Sequence, residues 1–67
     1  MMSYRDVASK LRRAGFICER TNKHDVYVHK EKNITIPLPH HPSDIPRGTL
    51  RTIIRETGLS PETFMSL

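Results

Sequence analysis

Residues 24–38 read H-D-V-Y-V-H-K-E-K-N-I-T-I-P-L, and this stretch contains the pattern that decides the fold. In an extended chain successive side chains alternate between two faces, so Val26 and Val28 fall on one face and Tyr27 and His29 on the other. The polar run K-E-K-N is a turn signal, and I-T-I-P-L then alternates again. The stretch therefore predicts two antiparallel strands joined by a four-residue turn.

A further strand is predicted before this hairpin. F-I-C-E-R, over about residues 16–20, is rich in β-branched and aromatic side chains, and T-N-K after it is a turn signal. The last strand has one apolar face, formed by Ile34, Ile36 and Leu38. Because Pro37 and Pro39 cannot donate to a ladder, that strand should be ending or lie at a sheet edge. Together the segments predict an antiparallel meander.

One amphipathic helix is predicted before the meander. Ser3 is placed to cap it, the helix begins near Tyr4, and Gly15 is a natural stop. Its apolar residues recur at helical spacing and are Tyr4, Val7, Ala8, Leu11 and Ala14. Arg12 and Arg13 lie in the last turn, where the negative end of the helix dipole favours cations.

A second helix is predicted after the meander. It should begin at Pro46, with Asp44 just ahead of its positive end, and close at Gly58. Its inner face consists of Leu50, Ile53, Ile54 and Thr57, and a separate stripe consists of Arg47, Arg51 and Arg55. Ser60 and Pro61 form an N-cap and a first helical residue, which open a last short helical turn.

The predicted order is α-β-β-β-α plus a short C-terminal helix. It indicates an α+β fold, a two-layer sandwich in which two helices cover one face of a three-stranded antiparallel sheet. This arrangement is similar to the double-stranded-RNA-binding fold. With 67 residues, the chain is expected to form a single domain over residues 1–67.

The composition restricts the class of protein. Cys18 is the one cysteine, so no intrachain disulfide can form, which fits a reducing cytoplasm better than secretion. No apolar run approaches the roughly 20 residues that span a bilayer, and the N-terminus lacks the apolar core of a signal peptide. We therefore expect a cytoplasmic protein with no membrane partner.

Charge is uneven along the chain. The formal net charge is +4, and residues 1–32 hold eight basic and four acidic side chains against three of each in residues 33–67. An excess of this kind suits a polyanionic partner, nucleic acid first, because cations neutralise phosphates. The alternative is a basic domain with no nucleic-acid role.

Four motifs follow one another in a set order. They are A-G-F at 14–16, H-D-V-Y-V-H at 24–29, I-T-I-P-L-P-H-H at 34–41 and P-R-G-T-L-R-T-I-I-R-E-T-G-L at 46–59. Together, over nearly the whole chain, they resemble the HicA toxin family, small RNA-cleaving proteins that a HicB antitoxin neutralises. The last motif is the most specific, since it looks like the family's basic-Gly-Thr-Leu helix ending in Gly-Leu. The chain departs from the family at Asn22-Lys23, where Gly-Ser commonly precedes the catalytic histidine.

The resemblance implies that His24 is the catalytic residue of a ribonuclease. Near neutral pH an imidazole can take the proton of a ribose 2′-OH or give a proton to the leaving 5′ oxygen. The implied reaction is attack of the 2′-OH on the adjacent phosphate, with no metal and no other cofactor. DNA lacks this hydroxyl and should resist cleavage. Without the resemblance, an exposed turn histidine is the alternative interpretation of His24.

Further residues are candidate RNA or phosphate contacts. Lys23 could stabilise the extra charge of the transition state. Arg47 and Thr49 open the second helix, where N–H groups and the dipole favour an anion, and Arg51 follows one turn later. An ordinary solvated helix end is the alternative. His29 is a candidate phosphate contact or a surface histidine.

Metal binding is not predicted. His40 and His41 could join His24 or His29 around zinc, but adjacent histidines ligate one metal awkwardly. The spacings Cys-x-x-Cys and His-Glu-x-x-His are both missing from the sequence.

The strand faces carry two further expectations. His24 shares a face with Val26 and Val28, which by their apolar character should face the helices, so His24 should lie at the rim of the covered face. Tyr27 would then lie on the open face of the sheet, where it could stack on a base or remain a surface aromatic.

Three functions compete at this point. The first is a toxin of a type II toxin–antitoxin system, an mRNA interferase neutralised by a HicB-type antitoxin. The second is a non-catalytic RNA-binding module of the same fold. The third is a domain that binds only another protein chain.

Overall fold

The computed structural model describes residues 2–20, 24–40 and 43–67. These residues form α1 (Tyr4–Arg13), β1 (Ile17–Arg20), β2 (His24–His29), β3 (Ile34–Pro39), α2 (Arg47–Thr57) and α3 (Pro61–Met65). The order of elements confirms the predicted α-β-β-β-α fold with its short C-terminal helix. The predicted turn at residues 21–23, which includes Lys23, and the predicted loop residue His41 lie outside the described residues.

The strands pair in chain order. In the described part of the chain, β1 pairs with β2 and β2 with β3, both antiparallel, so β2 is central and β3 lies at an edge. An edge strand tolerates residues without an N–H donor, which explains how Pro37 and Pro39 fit into β3.

The turn between β2 and β3 sets the register of the hairpin. His29 pairs with Ile34 directly across residues 30–33. Asn33 has a φ of 56°, a left-handed conformation that asparagine tolerates better than most residues. The four-residue turn therefore joins the two strands with their residues paired in register.

This register decides which face of β2 the helices cover. Tyr27 pairs with the fully buried Ile36, and directly opposed residues share a face, so Tyr27 points into the core and is 0% exposed. Val26 and Val28 are half-buried on the other, open face, and His24 shares that face by alternation. The prediction that these three residues belong to the covered face is wrong. So is the prediction that Tyr27 stacks on a base from the open face.

The cap of α1 and the glycines that end α1 and α2 lie where the sequence predicts. Ser3 and Asp6 form a capping box at the start of α1, and Gly15 follows its end with a φ of 101°. Gly58 closes α2 with a φ of 78°. Pro46 is the N-cap of α2, so the predicted start of this helix was one residue early.

The core lies between the covered face of the sheet and the helices. Its buried apolar residues are Met2, Val7, Ala8, Leu11, Phe16, Tyr27, Ile36, Leu38, Ile45, Ile53 and Phe64. Ile53 and Thr57 of α2 are buried and Leu50 and Ile54 half-buried, which confirms the predicted inner face of that helix. Among the residues described, no helix is long and apolar enough to cross a membrane.

Candidate active site

His24 lies at the end of the sheet where β2 begins and β3 finishes. It pairs with Pro39 and is half-buried. Because opposed Cα atoms lie about 4.5–5.5 Å apart and consecutive ones 3.8 Å, the Cα atoms of His24 and His40 lie within about 9 Å of each other. The backbones of two histidines therefore lie near each other at one end of the sheet, which we call the His24 end.

The first turns of α1 and α2 lie at this same end. Tyr4, the first residue of α1, contacts Asp25 of β2. The backbone N–H of Ile45, just before α2, donates to the carbonyl oxygen of Met2, just before α1, at 2.8 Å. The segments that lead into the two helices are thus tied together. The capping box with Asp6 already occupies the start of α1, whereas α2 has no side-chain cap, so the start of α2 favours an anion such as a phosphate.

A buried carboxylate organises the helix-facing side of this end. Asp25 is 5% exposed, and its Oδ2 accepts a hydrogen bond from the Tyr4 hydroxyl. The Nε2 of His40 lies 3.3 Å from the same Oδ2. The rings of Tyr4 and His40 pack at a centroid distance of 5.0 Å with a 59° tilt. We call these three residues the Tyr4–Asp25–His40 cluster.

The cluster holds each of its members in place. Burial raises the pKa of the Tyr4 phenol, and the hydrogen bond and the charge of Asp25 raise it further, so Tyr4 keeps its proton and donates. Tyr4 and Asp25 thereby orient one side of the imidazole of His40. The His40 side chain is 62% exposed, so the ring itself stays accessible to solvent.

The predicted phosphate contacts of α2 lie on exposed positions. Arg47 and Thr49 belong to its first turn, at the His24 end, and Arg51 lies one turn, about 6 Å, further along the helix. Proline at the N-cap offers no side-chain acceptor for the first-turn N–H groups. The arginines border a groove of about 620 Å³ that is lined by Arg47, Leu50, Arg51, Ile54, Arg55, Gly58, Leu59 and Pro61.

His29 lies at the opposite end of β2. It is five steps along the strand from His24, which corresponds to about 17 Å. Its ring meets Phe16 edge-on at 5.2 Å, and its Nδ1 accepts the N–H of Lys32 at 3.2 Å. The structure therefore does not bring His29 together with the other predicted site residues.

The sequence reasoning missed Asp25 and Tyr4 and considered His40 only for zinc. One available signal was the four-residue turn, because it places Asp25 opposite Leu38, on the apolar face of β3. A carboxylate on a buried face needs a donor, so this register alone indicates a polar site there. Nothing in the sequence pattern indicated that the donor is the first residue of α1.

A comparison with known families identifies the chain. The model of the HicA toxin of bacterial toxin–antitoxin systems matches residues 4–59, most of the 67-residue chain. No curated protein matches the chain significantly. The chain belongs to the HicA toxin family, and it is accordingly the toxin of a toxin–antitoxin system with an antitoxin as its partner. The matched range includes both histidines of the His24 end and the whole Tyr4–Asp25–His40 cluster.

Proposed function

We propose that this chain is an endoribonuclease, an mRNA interferase that cleaves RNA without a metal and uses His24 for proton transfer. The observation that carries the proposal is the position of His24. It is half-buried at the end of the sheet beside which α1 and α2 begin. A phosphate bound between His24 and the uncapped first turn of α2 would lie in the positive field of that helix and within reach of an imidazole.

The proposed reaction is an internal displacement. His24 accepts the proton of a ribose 2′-OH, the O2′–P bond forms and the P–O5′ bond breaks. The products are a 2′,3′-cyclic phosphate and a 5′-hydroxyl. The 2′-OH is the nucleophile, so the corresponding DNA should not be cut.

We infer that the RNA backbone is held by the exposed first turn of α2. Arg47 can bind a phosphate bidentately and Thr49 can donate a hydroxyl hydrogen bond. Arg51 extends this contact along the helix toward the next phosphate. Lys23 and His29 remain predicted phosphate contacts, the first outside the described residues and the second at the far end of β2.

We further propose that the partner is a HicB-type antitoxin and that toxin and target RNA meet in the cytoplasm. The family supports an antitoxin, and the net charge of +4 favours a partner with an acidic surface. The single thiol, Cys18, is half-buried in β1 and suits a reducing compartment.

The test is cleavage of a long single-stranded RNA in the presence of EDTA. The wild-type protein should cut it, and His24→Ala should cut at least about 100-fold more slowly, since a positioned acid or base contributes 10²–10⁴-fold. Thr35→Ala is the matched control, because Thr35 is exposed and lies on the same open face of the sheet. Circular dichroism and Tm of all three proteins establish that the folds are equal.

Two outcomes would contradict the proposal. If the wild type binds the RNA but cuts nothing, the chain is a non-catalytic RNA-binding module. If His24→Ala cuts as fast as Thr35→Ala, the enzyme does not use His24.

A further inference from the structure

We propose that His40 is the second proton-transfer group of the site and that Asp25 and Tyr4 are the positioning residues that hold it. The proposal rests on the ribonuclease function proposed above. It assigns His40 as the general acid that protonates the leaving 5′ oxygen, opposite His24 as the base.

The contacts of His40 distinguish it from an ordinary surface histidine. An exposed side chain normally samples several rotamers, but this imidazole has a carboxylate oxygen 3.3 Å from Nε2 and a phenol ring at 5.0 Å. The carboxylate belongs to a strand residue that is itself buried and held by the Tyr4 hydroxyl. The orientation of His40 is therefore set by groups that cannot easily move.

This arrangement also selects the nitrogen that can meet a substrate. With Nε2 directed at Asp25, Nδ1 is the ring nitrogen left to exchange a proton with RNA. When the ring is protonated, its positive charge is compensated by the adjacent carboxylate. A cationic imidazole with an accessible N–H is the form that a general acid requires.

The two histidines lie on opposite sides of the sheet end. His24 is on the open face, whereas His40 contacts residues on the helix side. In-line displacement at phosphorus needs the attacking and leaving oxygens on opposite sides of the phosphorus atom. An RNA strand that crosses the ends of β2 and β3 would present its 2′-OH to one histidine and its 5′ oxygen to the other.

Two protons move in the proposed step. The 2′ oxygen gives its proton to His24 and forms the new bond to phosphorus, while the P–O5′ bond breaks and the 5′ oxygen takes a proton from His40. After the step His24 is protonated and His40 neutral, and exchange with water restores both.

The decisive experiment compares two RNA oligonucleotides that differ in one atom. One is ordinary RNA, and the other has sulfur in place of the leaving 5′ oxygen at the mapped cleavage position. A thiolate leaves without a proton, so the sulfur substrate does not need the acid. We expect His40→Gln to cut ordinary RNA about 100- to 10,000-fold more slowly than wild type, but the sulfur RNA within about tenfold of it.

Matched variants sharpen the test. His24→Ala should be slow on both substrates, because the base is needed in each case. On ordinary RNA, the cleavage rate of Asp25→Asn should fall less than that of His40→Gln. On the sulfur substrate, the rate of Asp25→Asn should return toward that of wild type, since Asp25 acts through the orientation of His40. His40 is largely exposed, so His40→Gln should keep the fold and Tm even if Asp25→Asn does not.

Each result has a distinct meaning. Equal slowing of His40→Gln on both substrates, or slowing on neither, overturns the role of His40 while the ribonuclease function stands. A wild-type protein that cuts neither substrate overturns the ribonuclease function, and the role of His40 falls with it.

Discussion

The two ends of β2 both carry histidines, and the molecule holds them in different ways. At the His24 end, the neighbouring His40 rests on a buried carboxylate and a tyrosine ring. At the other end, His29 packs edge-on against Phe16 and accepts a backbone N–H from the following turn. The first end supplies polar partners that orient an accessible ring. The second end supplies an apolar partner and a turn that anchor the ring to the fold.

Helix α1 accounts for part of this difference. It starts with Tyr4 beside Asp25 and ends just before Gly15, which lies against His29. Its positive end therefore faces the His24 end and its negative end faces His29. The dipole of α1 alone favours an anion at the first end, and Lys10, Arg12 and Arg13 in the last turn offset its negative end at the second. We propose that histidine serves chemistry at the first end and structure at the second.

The largest expected effect comes from crowding the His29 end. Gly15 has a φ of 101°, and a Cβ built on it would lie 3.0 Å from the His29 Nε2. Gly15→Val should lower the free energy of unfolding by about 3 kcal/mol, because a β-branched residue is strained at this φ and also meets the ring. Urea denaturation measures the loss.

The matched control for that variant is Gly48→Ala in α2. A Cβ at Gly48 meets nothing within 4 Å, and alanine favours a helix, so this variant should be no less stable than wild type. Equal stability of the two variants would show that Gly15 has no special steric role.

A smaller effect is expected from Tyr4→Phe at the His24 end. Loss of the hydroxyl that donates to Asp25 should lower the free energy of unfolding by about 2 kcal/mol at pH 7, since the acceptor is a charged and buried group. The pKa of Tyr4 is raised above its ordinary value near 10, first by burial and then by Asp25. The phenol therefore stabilises the folded state fully below about pH 10, and this contribution falls as the pH rises further.

Wild type should accordingly lose stability more steeply than Tyr4→Phe between about pH 10 and pH 11.5. Urea midpoints at several pH values measure both slopes. Burial also raises the pKa of Tyr27, which interacts with Tyr4, so the difference between the two slopes reports both phenols. Parallel curves for the two proteins would contradict the proposed contribution of Tyr4.

The smallest expected effect comes from His29→Gln. The variant loses an aromatic edge contact with Phe16, which should lower the free energy of unfolding by about 1 kcal/mol. The rate of RNA cleavage should fall less than tenfold, against the 100-fold or greater loss expected for His24→Ala. A loss for His29→Gln as large as that for His24→Ala would end the distinction between the two ends.

Local signals in the sequence were sufficient for the elements and most of their limits. Ser3 and the capping box define the start of α1, Gly58 closes α2, and alternation defines β2 and β3. Each of these signals acts between residues a few positions apart, so neighbouring residues alone predict it. His24 was singled out differently, by the resemblance of its strand motif to the HicA toxin family.

The choice of the covered face required more than local hydrophobicity. Val26 and Val28 are apolar, but they lie on the open face because the turn pairs Tyr27 with Ile36. One strand taken alone has two possible faces. The partner across the turn selects between them, since opposed residues must share a face.

The sequence by itself determined the order of helices and strands, their caps and turns, and the family motifs around His24. Only the tertiary structure decided that Tyr4, Asp25 and His40 form one cluster beside it. The hydrogen bond from Tyr4 to Asp25 joins residues 21 positions apart. Such a contact depends on how α1 packs on the sheet, and helix periodicity and strand alternation describe each element without stating which residues of another element it will touch.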